Sequence, residues 1–357
     1  MRGLAGRFIR SRSGSFAPIL VLSMMPILAA IGFSVDYTSA VQTRSNMQAA
    51  LDAAILSITT MATNSTLAQR QVALQTSYDA NGGQGTTTLK NFVVDAGGTA
   101  TAQATASFSM PTVFMQIARI TAVPVAVGSA VSKTPALVQS TFKVEKVSGW
   151  WNKTMTLYGT QFGATVAKPL MTITYTYNGA GDPKGYGTTT VSTITNNGGA
   201  DISTVVQSQV CSTGTVNNFN NVPTGGITQT SGNKKYLTTC ANTMYPANSA
   251  GAAIDVSQMG GLYLQMNVPS GNPQNLKSND PTTSNRLYID GTEVATGQIV
   301  DIFTAVPCGQ PSSQAWEDGG STVPTSAAVG TTQADFFYNV TGKCDFNKRP
   351  SDTLLTQ

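Results

Sequence analysis

The feature that most constrains this chain is a run of uncharged residues, Phe16 to Val35, close to its beginning. A helix of about 20 residues is about 30 Å long, which matches the hydrocarbon core of a lipid bilayer. The wider uncharged stretch that contains this run is bounded by Arg12 and Asp36. We therefore predict a transmembrane helix over residues 16–35.

The arginines that precede the run predict its orientation. These arginines are Arg2, Arg7, Arg10 and Arg12, and no acidic residue lies among them. Positively charged flanks stay on the cytoplasmic side of a membrane. Residues 1–15 are therefore predicted to be a basic cytoplasmic tail, with everything after Val35 on the other side. Because these charges equal the formal net charge of +4, we attribute the basic character to membrane orientation and predict no nucleic-acid partner.

A cleaved signal peptide is the alternative to a permanent anchor. Thr38, Ser39 and Ala40 are small residues at which cleavage could follow the apolar run. The apolar core of a signal peptide is typically about 7–15 residues long, however, and this run is longer. We favour a retained, single-pass anchor, and processing stays open at this point.

A helical pattern continues beyond Asp36. Apolar residues recur along one face, and this stripe comprises Tyr37, Val41, Met47, Leu51, Ala54, Ile55 and Ile58. No glycine or proline interrupts the chain between Phe33 and Ile58. We predict one long helix that leaves the membrane and continues as an amphipathic arm over residues 36–66. The stripe packs either on the chain's own next domain, which we slightly favour, or on a helix of another subunit.

Residues 67–133 are predicted to form a small α+β module. The pattern indicates a helix within 67–80 and then two strands, a short helix and a third strand, with the bounds Leu89–Asp95, Thr99–Phe108, Thr112–Arg119 and Thr121–Val131. Pro111 suits the first position of the short helix, because proline lacks only an N–H that has no partner there.

The junction of anchor and arm carries a recognisable motif. Its residues are Val35, Asp36 and Tyr37, followed by Arg44, Gln48, Ala50, Asp52, Ala53 and Ala54. With the apolar run before it and the segment 111–131 after it, this region resembles the N-terminal region of TadG-like proteins of the Flp (tight-adherence) pilus assembly system, over about residues 7–132. The resemblance implies a structural component of pilus assembly in the bacterial inner membrane, with pilus subunits or assembly proteins as partners.

The chain departs from that family in two ways. Many TadG-like proteins continue into a von Willebrand factor A domain with an Asp-x-Ser-x-Ser metal site. Asp201 and Asp255 begin such a motif here, but Val205 and Met259 occupy its last position, so we predict no metal site and no such domain. Ile19 stands where processed type IV pilins carry glutamate, which argues against a processed pilin subunit.

Residues 134–357 are predicted to be a β-rich domain of the sandwich or jelly-roll type, in the periplasm or outside the cell, so the fold class of the whole chain is α+β. Asp290-Gly291 between two short alternating runs is a strong hairpin signal. Ile299–Val306 is predicted to be a strand. The stretch 178–260, rich in Thr, Asn, Ser and Gly, is predicted to form long surface loops.

The cysteines number four and all follow residue 210. An even number in an exported domain favours disulfides, and four cysteines allow three pairings. We favour Cys211 with Cys240 and Cys308 with Cys344, because this pairing closes the shorter loops.

The sequence offers little catalytic chemistry, and we predict neither an enzyme nor a cofactor. It has no histidine, which excludes Ser-His-Asp and Cys-His catalysis and histidine-ligated metals. Paired carboxylates could still serve a glycosidase. The candidates are Glu317 and Asp318 beside Trp316, Asp290 with Glu293, and Asp301.

Trp150 and Trp151 are the most conspicuous aromatic pair. On a strand, neighbouring side chains point to opposite faces, so we expect one ring in the core and one exposed. We favour ordinary packing, and the alternative is a contact surface for a surface glycan or a partner protein. This alternative makes the chain a surface adhesin or a glycan-binding β domain on a membrane anchor.

Overall fold

The computed structural model describes residues 16–197, 199–318, 334–349 and 353–356. The chain divides into two compact units. Unit 1 comprises residues 1–95, 99–134 and 351–357, and unit 2 comprises residues 96–98 and 135–350. The cytoplasmic tail predicted over 1–15, with its four arginines Arg2, Arg7, Arg10 and Arg12, lies outside the described residues.

Unit 1 begins with helix α1, Phe16–Ile58, which is 43 residues long and contains Pro26. Its length of about 65 Å is about twice the thickness of a bilayer's hydrocarbon core. Within the described part of the chain it is the one helix long and apolar enough to cross a membrane. The helix ends at Ile58, earlier than the predicted limit of the arm at 66, because the backbone turns at Thr59 and Thr60, whose hydroxyls bond the carbonyls of the preceding turn.

The rest of unit 1 is a short helix and a four-stranded sheet. Helix α2, Leu67–Ala80, begins at a capping box formed by Thr66 and Gln69. The strand order is β1-β2-β3-β18, with the bounds Thr86–Val94, Ala100–Pro111, Ala122–Lys133 and Thr353–Leu355. The C-terminal part of α1 and helix α2 bury their apolar faces against this sheet.

Unit 1 differs from the sequence prediction at two points. The helix expected over Thr112–Arg119 is only a single 3-10 turn, Met115–Ala118. Strand β18 comes from the end of the chain and pairs with β3, although we had placed all of 134–357 in the C-terminal domain. Three residues of strand carry too little pattern to reveal a partner more than 200 positions away.

Unit 2 is built from two antiparallel sheets. The eight-stranded sheet has the order β13-β12-β5-β6-β7-β8-β10-β9, with the bounds Asn275–Lys277, Met259–Asn267, Lys153–Gln161, Lys168–Tyr177, Gly187–Asn197, Ala200–Val216, Lys234–Met244 and Ile227–Ser231. The six-stranded sheet has the order β11-β4-β17-β16-β14-β15, with the bounds Ala252–Asp255, Ala136–Val147, Phe336–Asp345, Pro311–Trp316, Leu287–Ile289 and Thr292–Glu293. Side chains of both sheets form one buried core, which is the arrangement of a β-sandwich.

The stretch 178–260 corrects the prediction of long surface loops. It contains the long strands β7, β8 and β10. Most side chains in the first half of β8 are exposed, so the apolar alternation that marks a half-buried strand is missing there. Threonine is frequent in these strands, and its β-branched side chain suits a pleated surface even where no core covers it.

Two local predictions in unit 2 have opposite outcomes. The hairpin at Asp290-Gly291 is confirmed, because both residues have positive φ, 50° and 81°, as a type I′ turn requires. The strand predicted over Ile299–Val306 is wrong. Asp301 instead accepts a hydrogen bond from the Phe303 N–H and caps a one-turn helix, α3, at Ile302–Ala305.

Two disulfides join the cysteines that the shorter-loop argument pairs. Cys211 and Cys240 face each other on β8 and β10. Cys308, which precedes β16, is bonded to Cys344 on β17. The first bond therefore holds strands that contribute little to the core, and the second ties a connecting segment to a central strand.

Candidate functional site

The residue that follows the apolar run, Asp36, joins helix α1 to the loop between β2 and β3. Its carboxylate accepts three backbone hydrogen bonds, from Val113 at 3.1 Å, Phe114 at 2.8 Å and Met115 at 2.6 Å. Its side chain is buried, with 4% of the residue exposed. Backbone N–H groups at the start of a helical turn lack partners within the turn, and a carboxylate is a strong acceptor for them. Asp36 thus fixes the start of the 3-10 turn against α1.

Gly32 lies one turn before Asp36 on the same face of α1. A Cβ atom placed on Gly32 would lie 2.6 Å from the Cβ of Phe114. That distance is too short for two carbon atoms, so the absence of a side chain at 32 lets Phe114 pack directly on the helix backbone. Gly32 and Asp36 together form a first clamp, which holds the β2–β3 loop on α1.

A second clamp joins α1 to β3 about three turns further along. The Ser129 hydroxyl donates to Asp52 Oδ1 at 2.6 Å. Gln48 Nε2 donates to the same oxygen and to the carbonyl of Gly128, both at 2.9 Å. Gln48 and Asp52 are four positions apart, so they lie on one face of the helix.

The apolar stripe of the arm divides into two parts. The C-terminal part is buried in the core of unit 1, and its residues are Met47, Leu51, Ala54, Ile55 and Ile58. The N-terminal part, Tyr37 and Val41, is exposed. The stripe therefore packs on the chain's own module over residues 47–58, and Tyr37, Val41 and Arg44 form a separate exposed face.

Arg70 is a structural residue that the sequence analysis missed. Its guanidinium donates to the carbonyls of Ile58 and Ala62, at 2.5 and 2.8 Å, and lies 3.8 Å from the centre of the Phe92 ring. A cation at the carboxyl end of a helix stabilises the unpaired carbonyls there. A charged residue on the apolar face of a short amphipathic helix is the signal that could have identified it.

The carboxylates Glu317, Asp318 and Asp335 in unit 2 lie together, with ligand atoms within 4.8 Å of one another. Two lysines already pair with them: Lys153 with Asp318 at 2.5 Å, and Lys184 with Asp335 at 2.9 Å. Burial and the neighbouring carboxylates of Asp335 and Asp318 raise the pKa of Glu317 to about 7. The lysines pair with two of the three carboxylates, so this cluster joins the end of β16 and the start of β17 to the start of β5.

The other carboxylates considered for catalysis have local structural partners. Asp290 accepts a hydrogen bond from the backbone of Ser313 at 2.8 Å and holds its hairpin against β16. Asp301 is the N-cap of α3. Glu293 lies on the exposed strand β15.

Trp150 and Trp151 lie in the connection between β4 and β5, and not on a strand. The two rings differ in exposure, as expected, but the difference comes from the bend of this connection and not from alternation along a strand. Trp150 is exposed and donates from Nε1 to the carbonyl of Asp182 at 3.2 Å. Trp151 packs against the core. A single exposed ring is thus available at this place.

Comparison with known proteins finds a family match for the segment that forms helix α1. Residues 14–57 match the family model described as putative Flp pilus-assembly TadE/G-like. No curated protein and no solved structure matches the chain. The matched segment includes the residues of both clamps, Asp36, Gln48 and Asp52, and also the exposed Tyr37 and Arg44. The N-terminal region of this chain, over residues 14–57, is therefore similar to the TadE/G-like segment of Flp pilus-assembly proteins.

Proposed function

We propose that this protein is a membrane-anchored structural component of Flp (tight-adherence) pilus assembly, which acts through protein–protein contacts in the cell envelope. The observation that carries the proposal is the course of α1. The segment that matches the family model is one continuous helix, apolar at first and then clamped along its length to the folded module of its own chain.

Between the two clamps, helix α1 has an exposed face. With Asp36 and Asp52 held by the module, the face formed by Tyr37, Val41 and Arg44 is exposed. These residues are four and three positions apart, which places them side by side on a helix. Tyr37 and Arg44 belong to the residue types that are enriched at protein contact surfaces, namely aromatic residues and arginine. We propose that this face contacts a helix of a pilus subunit or of an assembly protein.

The proposed location is the bacterial inner membrane, with a single pass, the N-terminal tail in the cytoplasm and unit 2 in the periplasm or beyond. The disulfides of unit 2 support this side of the membrane, because such bonds persist in oxidising compartments.

A deletion strain complemented with variants tests the proposal. We expect loss of surface pili in the deletion, restoration by the wild-type gene, and poor restoration by Tyr37→Ala combined with Arg44→Ala. The matched control is Ser39→Ala, an exposed position on the other side of the same helix, which should restore pili fully. All variants must reach the membrane in equal amounts. Normal pili in the deletion strain would contradict the proposal.

The exposed ring of Trp150 favours a second candidate function, a surface adhesin or a glycan-binding β domain. Its test is attachment and glycan binding by Trp150→Ala, with Trp151→Phe as the control that keeps an aromatic ring in the core. Binding lost in Trp150→Ala alone supports this candidate, and unchanged binding contradicts it. We propose no catalytic activity and no cofactor for either function.

A further inference from the structure

The β2–β3 loop, residues 112–121, exposes an unusual number of large apolar side chains. Val113 is 71% exposed and Ile117 is 77% exposed, and Phe114 and Ile120 are also exposed. The loop contains one charged residue, Arg119. Contiguous apolar surface of this kind on a folded module indicates a contact with another apolar phase or with a partner.

The position of the loop along α1 identifies that phase. Phe114 packs on Gly32, and the loop backbone is bound by Asp36. Gly32 belongs to the last turn of the uncharged run 16–35, which reaches the boundary of the hydrocarbon core if α1 spans the bilayer. A loop fixed to this turn is therefore held at the level of the membrane interface, beside the point where the helix emerges.

Backbone N–H groups of the loop have hydrogen-bond acceptors within the protein, which suits a medium with little water. Asp36 accepts the N–H groups of Val113, Phe114 and Met115. The loop's own carbonyls accept hydrogen bonds from the backbone N–H groups of Thr112, Ile117, Arg119 and Ile120. Polar backbone groups are costly to transfer from water only when they lack such partners. The buried carboxylate of Asp36 thus serves the loop as an acceptor in a place where water is scarce.

We propose that the β2–β3 loop is a second membrane contact, which inserts Val113, Ile117 and Ile120 into the interface of the leaflet from which α1 emerges. The partner is a lipid surface. The apolar side chains lie at the boundary of the acyl chains, and Arg119 reaches the lipid phosphates. This inference rests on the membrane span of α1 but not on a role in pilus assembly. With two attachment points the tilt of α1 and its module relative to the membrane is restricted.

Depth measurements on the full-length protein in liposomes test the proposal. All four native cysteines are in disulfides, so a single added cysteine can be labelled selectively. Ile117→Cys and Val113→Cys place an environment-sensitive fluorophore on the loop, and nitroxides attached to shallow acyl positions of the lipid act as quenchers. Val72→Cys on α2 is the matched control, because it belongs to the same unit and is 67% exposed. These exposed positions should accept the label without disturbing the fold.

We expect strong quenching by the lipid nitroxide at 117 and 113 and little quenching at 72, with the label at 117 located about 5–10 Å below the headgroup surface. Equal and weak quenching at all three positions overturns the proposal and leaves the loop to a protein partner. Equal and strong quenching at all three positions also overturns it, because the whole module then lies on the lipid. Flotation of the liposomes checks the anchor separately, so failure of the span and failure of the loop contact are distinguishable.

Discussion

The carboxylate of Asp36 accepts a hydrogen bond from the backbone N–H of Phe114 at 2.8 Å, although 78 positions separate these residues in the chain. The same oxygen, Oδ2, also accepts a hydrogen bond from the N–H of Met115, and Oδ1 accepts one from the N–H of Val113. A single side chain at the end of the apolar run therefore fixes the orientation of a loop that lies far along the sequence. This contact gives a family-motif residue a defined structural task.

Replacement of Asp36 by alanine should release the β2–β3 loop, because three backbone N–H groups lose their acceptor at once. We expect faster tryptic cleavage after Arg119 in membranes, with intermediate cleavage in Asp36→Asn, which keeps one acceptor oxygen. The control is Asp79→Ala, which removes an exposed carboxylate of α2. Equal cleavage rates in wild type and Asp36→Ala would show that the loop does not depend on this contact.

Gly32→Ala should displace Phe114, because the new Cβ would lie 2.6 Å from the Cβ of that residue. The same proteolysis assay should report a loosened loop. Combination with Phe114→Ala removes the clash, so the double variant should be no more sensitive than Phe114→Ala alone. Such non-additive behaviour is typical of residues in direct contact. Additive effects would mean that Gly32 acts through the helix itself and not through Phe114.

Lys153→Met should destabilise unit 2 strongly, because it leaves the buried carboxylate of Asp318 without its cation. Breaking a buried pair by removing one partner typically costs about 3–5 kcal/mol. The matched control is Lys143→Met, which breaks the exposed 3.9 Å pair with Glu145 and should cost at most about 1 kcal/mol. Thermal unfolding of the detergent-solubilised chain measures both. A Lys153→Met variant as stable as Lys143→Met would contradict the assignment.

Glu317 should make unit 2 less stable in mildly alkaline solution. Burial and the carboxylates of Asp335 and Asp318 raise its pKa to about 7, against the opposing charges of Lys184 and Lys153. A group whose pKa is raised on folding contributes stability at low pH, and this contribution is lost as the pH rises through the folded value. Thermal unfolding between about pH 5 and pH 8 should therefore show a decline that is smaller in Glu317→Gln. Identical profiles would exclude Glu317 as the source.

The parts of the fold that depend on local pattern could be predicted from the sequence. Helix α1 was predicted from the uncharged run and from the stripe between Met47 and Ile58, and the hairpin was predicted from Asp290-Gly291. Each of these signals is contained within a few tens of residues. Strands β7 and β8 could not be predicted, because the buried positions of β7 include Thr189 and Ser192 in place of apolar residues, and the first half of β8 is exposed.

The site contacts depend on residues far apart in the chain, and sequence patterns carry no information about such pairs. Asp36 and Asp52 were selected as motif residues, but nothing indicated that their partners are Phe114 and Ser129. The pairing of Lys153 with Asp318 spans 165 positions. Glu317 and Asp318 were considered together because they are neighbours in sequence, but nothing in the sequence indicated that Asp335, Lys153 and Lys184 lie beside them.

The most direct test of the central claim is site-specific photo-crosslinking from position 37 in living cells. A photoreactive phenylalanine analogue at Tyr37, on the exposed face of α1, is compared with the same analogue at Ser39, which is exposed on the other side of the helix. We predict a crosslink from position 37 to a pilus subunit or pilus assembly protein, identified by mass spectrometry, and a much weaker one from position 39. Crosslinks from position 37 to lipid alone, or the same products from both positions, would contradict a pilus-assembly contact at this face.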